Sequence, residues 1–216
     1  MIKGVVFDLD GTLIDSMSVW HNIDIDFLKE NGVDNPPENI SDIMKKLTVD
    51  EASQYFIDNF GLDLTPGYIT KRIEEMVRIQ YEQLIALKPY VIETLDYLDS
   101  LGIPYGVATA TYKNLAEAVM KRCGIYDRMK FLVTEIEYPN GKTFPDIFLG
   151  CADRLGCKPC ETLVIEDSLH CIETASKAEF ITAAVYDDAS LCDMAEIKKT
   201  ADYYWNSLDE LKSALR

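Results

Sequence analysis

The sequence predicts an α/β fold in which a parallel sheet carries helices on both faces and an all-helical domain is inserted after the first strand. Three observations predict it. Apolar, β-branched runs alternate with segments of helical period along most of the chain. The alternation lapses over residues 16–86, where helix follows helix. The first run, in VVFDLDGTLIDS (5–16), ends in two aspartates and a glycine, so a buried strand delivers carboxylates to one sheet edge.

The strands read in order as GVVFDL (4–9), IPYGVAT (103–109), FLVTE (131–135), TLVIED (162–167) and FITAAVY (180–186), with a short DYYW (202–205) near the end. Helical segments fall between them. Residues 89–101 put Val91, Leu95 and Leu98 on one face and stop at Gly102. Others are 113–123, 145–155, 169–178 and 189–199, with Pro145 in a first turn, where a missing N–H costs nothing. Strands buried on both faces and separated by helices require right-handed crossovers. The expected core is therefore a Rossmann-like, three-layer α/β/α unit built from residues 1–15 and 87–216.

Residues 16–86 carry three apolar stripes. These are Met17, Trp20, Ile23 and Phe27; Val49, Ala52, Phe56 and Phe60; and Ile69, Ile73 and Met76, extending toward Leu84. NPPEN (35–39) and TPG (65–67) punctuate them. The segment is expected to be a helical cap domain whose stripes form its own core.

Composition excludes several function classes. Of 216 residues, 48% are hydrophobic and 27% charged, as in a globular protein with a real core. The net charge of −16 argues against nucleic acid and anionic membranes as partners. That charge is spread over the chain, with 6 Lys+Arg against 13 Asp+Glu in residues 16–86 and 15 against 24 elsewhere. No apolar run reaches the roughly 20 residues of a membrane span. The first residues enter a strand with no signal-peptide pattern, so a cytoplasmic protein is expected. Six cysteines include the pair Cys157 and Cys160 in CKPC. A redox CxxC leads into a helix, whereas this one leads into a strand. A closed zinc site needs two further ligands, for which Cys151, Cys171 and His170 form no second pair. Reduced structural thiols are expected.

In an open parallel sheet, ligands bind beyond the carboxyl ends of the strands. The first strand ends in Asp8 and Asp10, the second in Thr109-Ala110-Thr111, and the fourth in Glu166-Asp167-Ser168; the loop after the third holds Gly141-Lys142. An ionised carboxylate at the end of an apolar strand is costly without a partner. Asp8, Asp167 and Glu166 supply the hard oxygen ligands that suit Mg²⁺, which also takes phosphate oxygens. Thr109 and the backbone N–H groups around Ala110 can hold phosphate oxygens at a helix start. Lys142 adds a point charge. Asp8 can serve as a nucleophile, and Asp10 as the group that protonates a leaving oxygen and later deprotonates water. Taken singly, each piece has a plainer reading. Asp-Gly marks turns, Thr109 and Ser168 cap helices, and a lysine in a Gly- and Pro-rich loop is usually solvated.

Together, FDLDGT, VATAT, GKTFPDIF and VIEDS resemble the four motifs of the haloacid dehalogenase superfamily, in order and each at its strand end. The resemblance is to its β-phosphoglucomutase-like phosphatase branch, with a helical cap after the first motif. It implies that Asp8 is the nucleophile and Asp10 the general acid/base, whose main-chain carbonyl also ligates Mg²⁺. It implies further that Thr109 binds phosphate, that Lys142 is the motif lysine, and that Glu166 and Asp167 bind metal, with Asp167 the direct ligand. The Asp8 strand would be central in the sheet. The implied activity is Mg²⁺-dependent hydrolysis of a small phosphorylated metabolite through an aspartyl-phosphate. A monomer is expected, with a cap that closes about hinges near 15–16 and 86–89.

Departures from the family pattern bear on this reading. Relatives place a glycine near Cys171, and they end the next helix with Ala-Gly where this chain has Ala178-Glu179. A non-glycine there implies roughly 1 kcal/mol of strain. Sugar-phosphate mutases carry a His five residues after the aspartate that opens the cap; here Trp20 holds that place after Asp15, and His21 is six on. They also carry a cap-loop Arg where this chain has Val49, the nearby cations being Lys45 and Lys46. Hydrolysis is therefore favoured over mutase activity. Dehalogenases lack the second aspartate that Asp10 supplies. A non-catalytic phosphometabolite binder would need neither acid role.

Overall fold

Six short strands pair side by side in parallel, in the order β3-β2-β1-β4-β5-β6. They are β1 (Gly4–Phe7), β2 (Tyr105–Thr109), β3 (Leu132–Thr134), β4 (Thr162–Glu166), β5 (Ile181–Val185) and β6 (Tyr203–Trp205). The computed structural model describes all residues except Glu38, Lys45, Lys46, Glu135 and Arg216, together with the side chains of Asp42, Val49 and Asp50. The expectations resting on Lys45, Lys46 and the Val49 side chain therefore lie outside the described residues. The chain divides into two compact units, Met1–Met17 with Ile85–Arg216, and Ser18–Leu84.

In the first unit, β1 is central and buried along its length, as are β2 and β4 beside it. Phe7 pairs with Val107 on one side and Ile165 on the other. That register brings the ends of β1, β2 and β4 level, which places Asp8, Thr109 and Glu166 along one edge. The covering helices are α5 (Val91–Leu101), α6 (Lys113–Arg122), α7 (Asp146–Leu155), α8 (Leu169–Lys177) and α9 (Met194–Thr200); α1 (Met17–Glu30), α2 (Ile40–Met44), α3 (Val49–Phe60) and α4 (Pro66–Ile79) precede them. Val91, Leu95 and Leu98 are the buried face of α5, and Gly102 ends it at φ 66. Pro145 stands just before α7 as its N-cap, one place earlier than expected.

One expectation needs correction here. The helix expected over 189–199 is split into a 3-10 stretch, Asp188–Asp193, followed by α9. The Asp187 carboxylate accepts the Ala189 N–H and starts the tighter turn, and no residue of the stretch is buried to favour α-geometry. The loop end after α8 matches the expectation: Glu179 takes a left-handed φ of 65. Tyr90, before α5, does the same at φ 64 with no side-chain cap, which no sequence pattern signalled.

The second unit is all-helical, with α1 (Met17–Glu30, entered from the first unit), α2 (Ile40–Met44), α3 (Val49–Phe60) and α4 (Pro66–Ile79), followed by a π-helical turn, Gln80–Leu84. Thr48 and Glu51 form a reciprocal capping box at the start of α3, satisfying two N–H groups. Phe27, Leu28, Ile40, Met44, Phe56 and Ile69 are its buried centre, the Phe27 and Phe56 rings 5.3 Å apart. The stripes reach less far than expected. Trp20 is 37% exposed and Leu84 62% exposed. Trp20 instead donates its indole N–H to Tyr81 Oη at 3.0 Å, and the π-turn shifts Leu84 off the α4 face. No helix among the described residues is long and apolar enough to cross a membrane.

Candidate active site

The four sequence motifs meet at the carboxyl edge of the sheet, on the wall of a cavity of about 770 Å³. Asp8, Asp10, Ala110, Lys142, Glu166 and Asp167 all line it. Asp8 prolongs the β1–β4 ladder, its N–H donating to Ile165 O at 2.9 Å, so its side chain leaves the sheet where strand pairing ends. Lys142, on the 3-10 turn Gly141–Thr143, is buried and donates to Asp8 Oδ1 and, at 2.7 Å, to Glu166 Oε1. The other Glu166 oxygen accepts the N–H groups of Asp167 and Ser168 and the Ser168 hydroxyl.

Asp10 belongs to a second, adjoining group. It accepts from Ser16 Oγ at 2.7 Å and from Thr111 Oγ1 at 2.6 Å. Thr109 makes a longer contact to it, 3.4 Å, and accepts the Thr111 N–H at 3.0 Å. Thr109 thus lies behind the cavity wall, and Ala110 is the exposed residue of that strand end.

The charge balance of the first group decides its chemistry. Asp8, Glu166 and Asp167 are all buried, with ligand oxygens within 4.8 Å of one another, and Lys142 is the ammonium that Asp8 and Glu166 share. One cation holds one carboxylate ionised. Burial would raise the Glu166 carboxyl, but Lys142 outweighs that and holds it below the usual range. Burial also works against the Lys142 charge, yet Asp8 and Glu166 hold it well above the ordinary lysine value. Burial pushes Asp8 up to about 8 despite Lys142, with Glu166 and Asp10 adding repulsion. Burial, Glu166, Asp8 and Asp187 push Asp167 up to about 9.

Such a group takes up protons or a cation. Asp8 Oδ2 is buried and has no hydrogen-bond partner, a free acceptor beside Asp167. Gly11, at φ 81, leaves room for the Asp167 carboxylate, since a Cβ there would lie 2.6 Å from Oδ2. An all-oxygen, electron-rich donor set of this kind fits a hard divalent ion.

Some members of the site carry no sequence signal. Lys88 donates to Gly11 O at 2.6 Å, Tyr186 O at 2.8 Å and Asp187 Oδ2 at 2.9 Å. Thr111 and Ser16 stood inside the quoted motifs without an assigned role. The six cysteines are all free; Cys160 is exposed and Cys157 half-buried, and Cys171 lies on the cavity wall 3.2 Å from His170 Nε2.

The family model described as haloacid dehalogenase-like hydrolase matches residues 5–185. The chain belongs to that family. Within it, the chain is 30% identical over 166 residues to hexitol phosphatase A of Escherichia coli, covering 77% of this chain and 74% of that one. It is 30% identical over 190 residues to N-acetylmuramic acid 6-phosphate phosphatase of Pseudomonas aeruginosa, covering 85% and 81%. Among solved structures, a protein provisionally named a beta-phosphoglucomutase, from Thermotoga maritima, superposes with a TM-score of 0.83 at 22% identity, covering 99% of this chain and 98% of that one. That likeness shows the haloacid dehalogenase-like fold, including the six-stranded parallel sheet.

Proposed function

We propose that this haloacid dehalogenase-like hydrolase is a Mg²⁺-dependent phosphatase of a small phosphorylated metabolite, a sugar or sugar-alcohol phosphate, working through an aspartyl-phosphate on Asp8. The observation that carries the reading is the state of Asp8. One oxygen is held by Lys142, and the other is buried and unpartnered at the cavity. The sugar-phosphate relatives support the substrate class.

Asp8, Asp167 and Glu166, with the Asp10 main-chain carbonyl, would hold the ion, and Asp167 is the direct ligand in this reading. When bound, Mg²⁺ supplies positive charge against the phosphoryl oxygens and the acidic group. Lys142 orients the Asp8 carboxylate and adds its own charge to the transferring group. An Asp8 oxygen forms a bond to phosphorus as the ester P–O bond breaks, and Asp10 gives its proton to the departing oxygen. Water then attacks phosphorus, Asp10 takes the water proton, and inorganic phosphate leaves with the Asp8 carboxylate restored. Ser16 and Thr111 hold Asp10 in place for both transfers. Thr109 and the amides around Ala110 serve the phosphate. The helical unit Ser18–Leu84 is the specificity cap of this reading, and the enzyme acts as a cytoplasmic monomer.

The test is phosphate release from para-nitrophenyl phosphate and from a panel of hexitol and amino-sugar phosphates, with Mg²⁺ and with EDTA, beside Asp8→Asn. Turnover is expected only with the metal and only with Asp8 intact. Metal-independent turnover, or an active Asp8→Asn, sinks the mechanism. Isomerisation of β-glucose 1-phosphate without phosphate release marks a mutase instead, and affinity without turnover marks a binder.

A further inference from the structure

Lys88 lies outside every motif, yet its side chain is only 15% exposed and its ammonium is saturated. An ammonium has three N–H donors, and Gly11 O, Tyr186 O and Asp187 Oδ2 take all three at 2.6, 2.8 and 2.9 Å. It has none left for a substrate anion. Its acceptors come from two loops, the turn after Asp10 and the end of β5. Asp187 is itself fixed, because its Oδ1 accepts the Ala189 N–H at 2.9 Å. The backbone around Lys88 belongs to the same assembly: Lys88 N–H donates to Leu13 O, Asp15 N–H donates to Ala86 O, and Ile14 bridges Leu87. The turn from Gly11 to Ser16 is thereby held from two sides, by the return chain at 86–88 and by the ammonium at its first carbonyl.

That turn carries Ser16, whose hydroxyl donates to Asp10 Oδ1 at 2.7 Å, and it begins at the residue bonded to Asp10. The geometry points to Lys88 as a positioning residue for Asp10, clamping the Gly11–Ser16 turn to the β5 end so that the Asp10 carboxyl stays aimed at the departing oxygen. Lys88 touches neither the reacting atoms nor the acidic group of Asp8. The inference rests on the phosphatase reading above, with Asp10 as the acid.

A mispositioned acid hurts most where the leaving group is basic and needs its proton, and least where the leaving group departs unaided. A general loss of structure affects both alike. The experiment therefore compares kcat/KM, which reports the steps through departure of the leaving group and not the later hydrolysis that both esters share, for phenyl phosphate and para-nitrophenyl phosphate, with saturating Mg²⁺, in wild type and Lys88→Met. Expected is a fall of about tenfold or more in kcat/KM for phenyl phosphate, with kcat/KM for the nitrophenyl ester changed by less than about threefold. An unchanged ratio of the two kcat/KM values, in an enzyme that is folded by circular dichroism, overturns the inference. Should Lys88→Met not fold, Lys88→Gln carries the same comparison, since one amide cannot serve three acceptors and the ratio must still drop. If neither variant folds, Lys88 is structural and the inference is overturned. A wild type with no turnover of either ester refutes the phosphatase reading itself, a result distinct from an active enzyme whose ratio ignores Lys88.

Discussion

Gly11 and Asp167 stand so close that a β-carbon on the glycine would lie 2.6 Å from Asp167 Oδ2 and 2.9 Å from its carboxyl carbon. Gly11 also holds φ 81, a region costly to L side chains. Gly11→Ala is expected to displace the Asp167 carboxylate. Mg²⁺ affinity measured by calorimetry should weaken by about tenfold or more, with about 1–2 kcal/mol of stability lost to the backbone. Unaltered affinity would remove Asp167 from the proposed ligand set.

The raised acids make stability depend on pH in a definite direction. In the folded protein Asp8 holds its proton up to about 8 and Asp167 up to about 9, against 3.8 for an unperturbed aspartate. Between those limits the folded state binds more protons than the unfolded one, so the metal-free protein loses stability as pH rises. A divalent ion replaces those protons. The rise in thermal midpoint on adding Mg²⁺ should be larger at about pH 8 than at about pH 5.5. Scanning fluorimetry reads it, and equal shifts at both would count against carboxylate ligation.

Lys142 neutralises carboxylates that have no other cation in contact among the described residues. Lys142→Met should destabilise the metal-free protein by about 3–5 kcal/mol near neutral pH, the cost of leaving buried charge uncompensated. The loss should shrink toward about pH 5, where Glu166 can be protonated instead, Asp8 already holding its proton at both values. Urea unfolding at the two pH values separates this from a packing defect, which would cost the same at both.

Tyr90 and Glu179 hold left-handed backbone at φ 64 and φ 65. Glycine takes that conformation without a Cβ penalty, so Tyr90→Gly and Glu179→Gly should each raise stability by up to about 1 kcal/mol, less the entropy glycine adds to the unfolded chain. Higher urea midpoints with unchanged slopes are the expected result. A lower midpoint for Tyr90→Gly would show that its half-exposed ring contributes more than its backbone costs.

The sequence made the strand ends legible because each motif couples a period-2 apolar run to polar residues that a buried strand cannot otherwise carry. Asp8, Glu166, Asp167 and Lys142 do converge, and the carbonyl-edge rule is sufficient to expect it. Glu179 was legible too, as a missing glycine at a helix end. Lys88 was not, since its role depends on Tyr186 and Asp187 reaching it from a distant loop. Local pattern carries no trace of such a meeting. The exposed end of the last helical stripe, Leu84, escaped for a related reason: periodicity assumes α-geometry, and the π-turn at Gln80–Leu84 breaks it.

The β1–β4 pairing joins segments far apart in the chain, with the whole helical unit and two βα units lying between them in sequence. Closing that loop is the entropically costly step of assembling the sheet, and the three acids cannot gather until it happens. During refolding, the acidic cluster is therefore expected to form late, with the completion of the sheet.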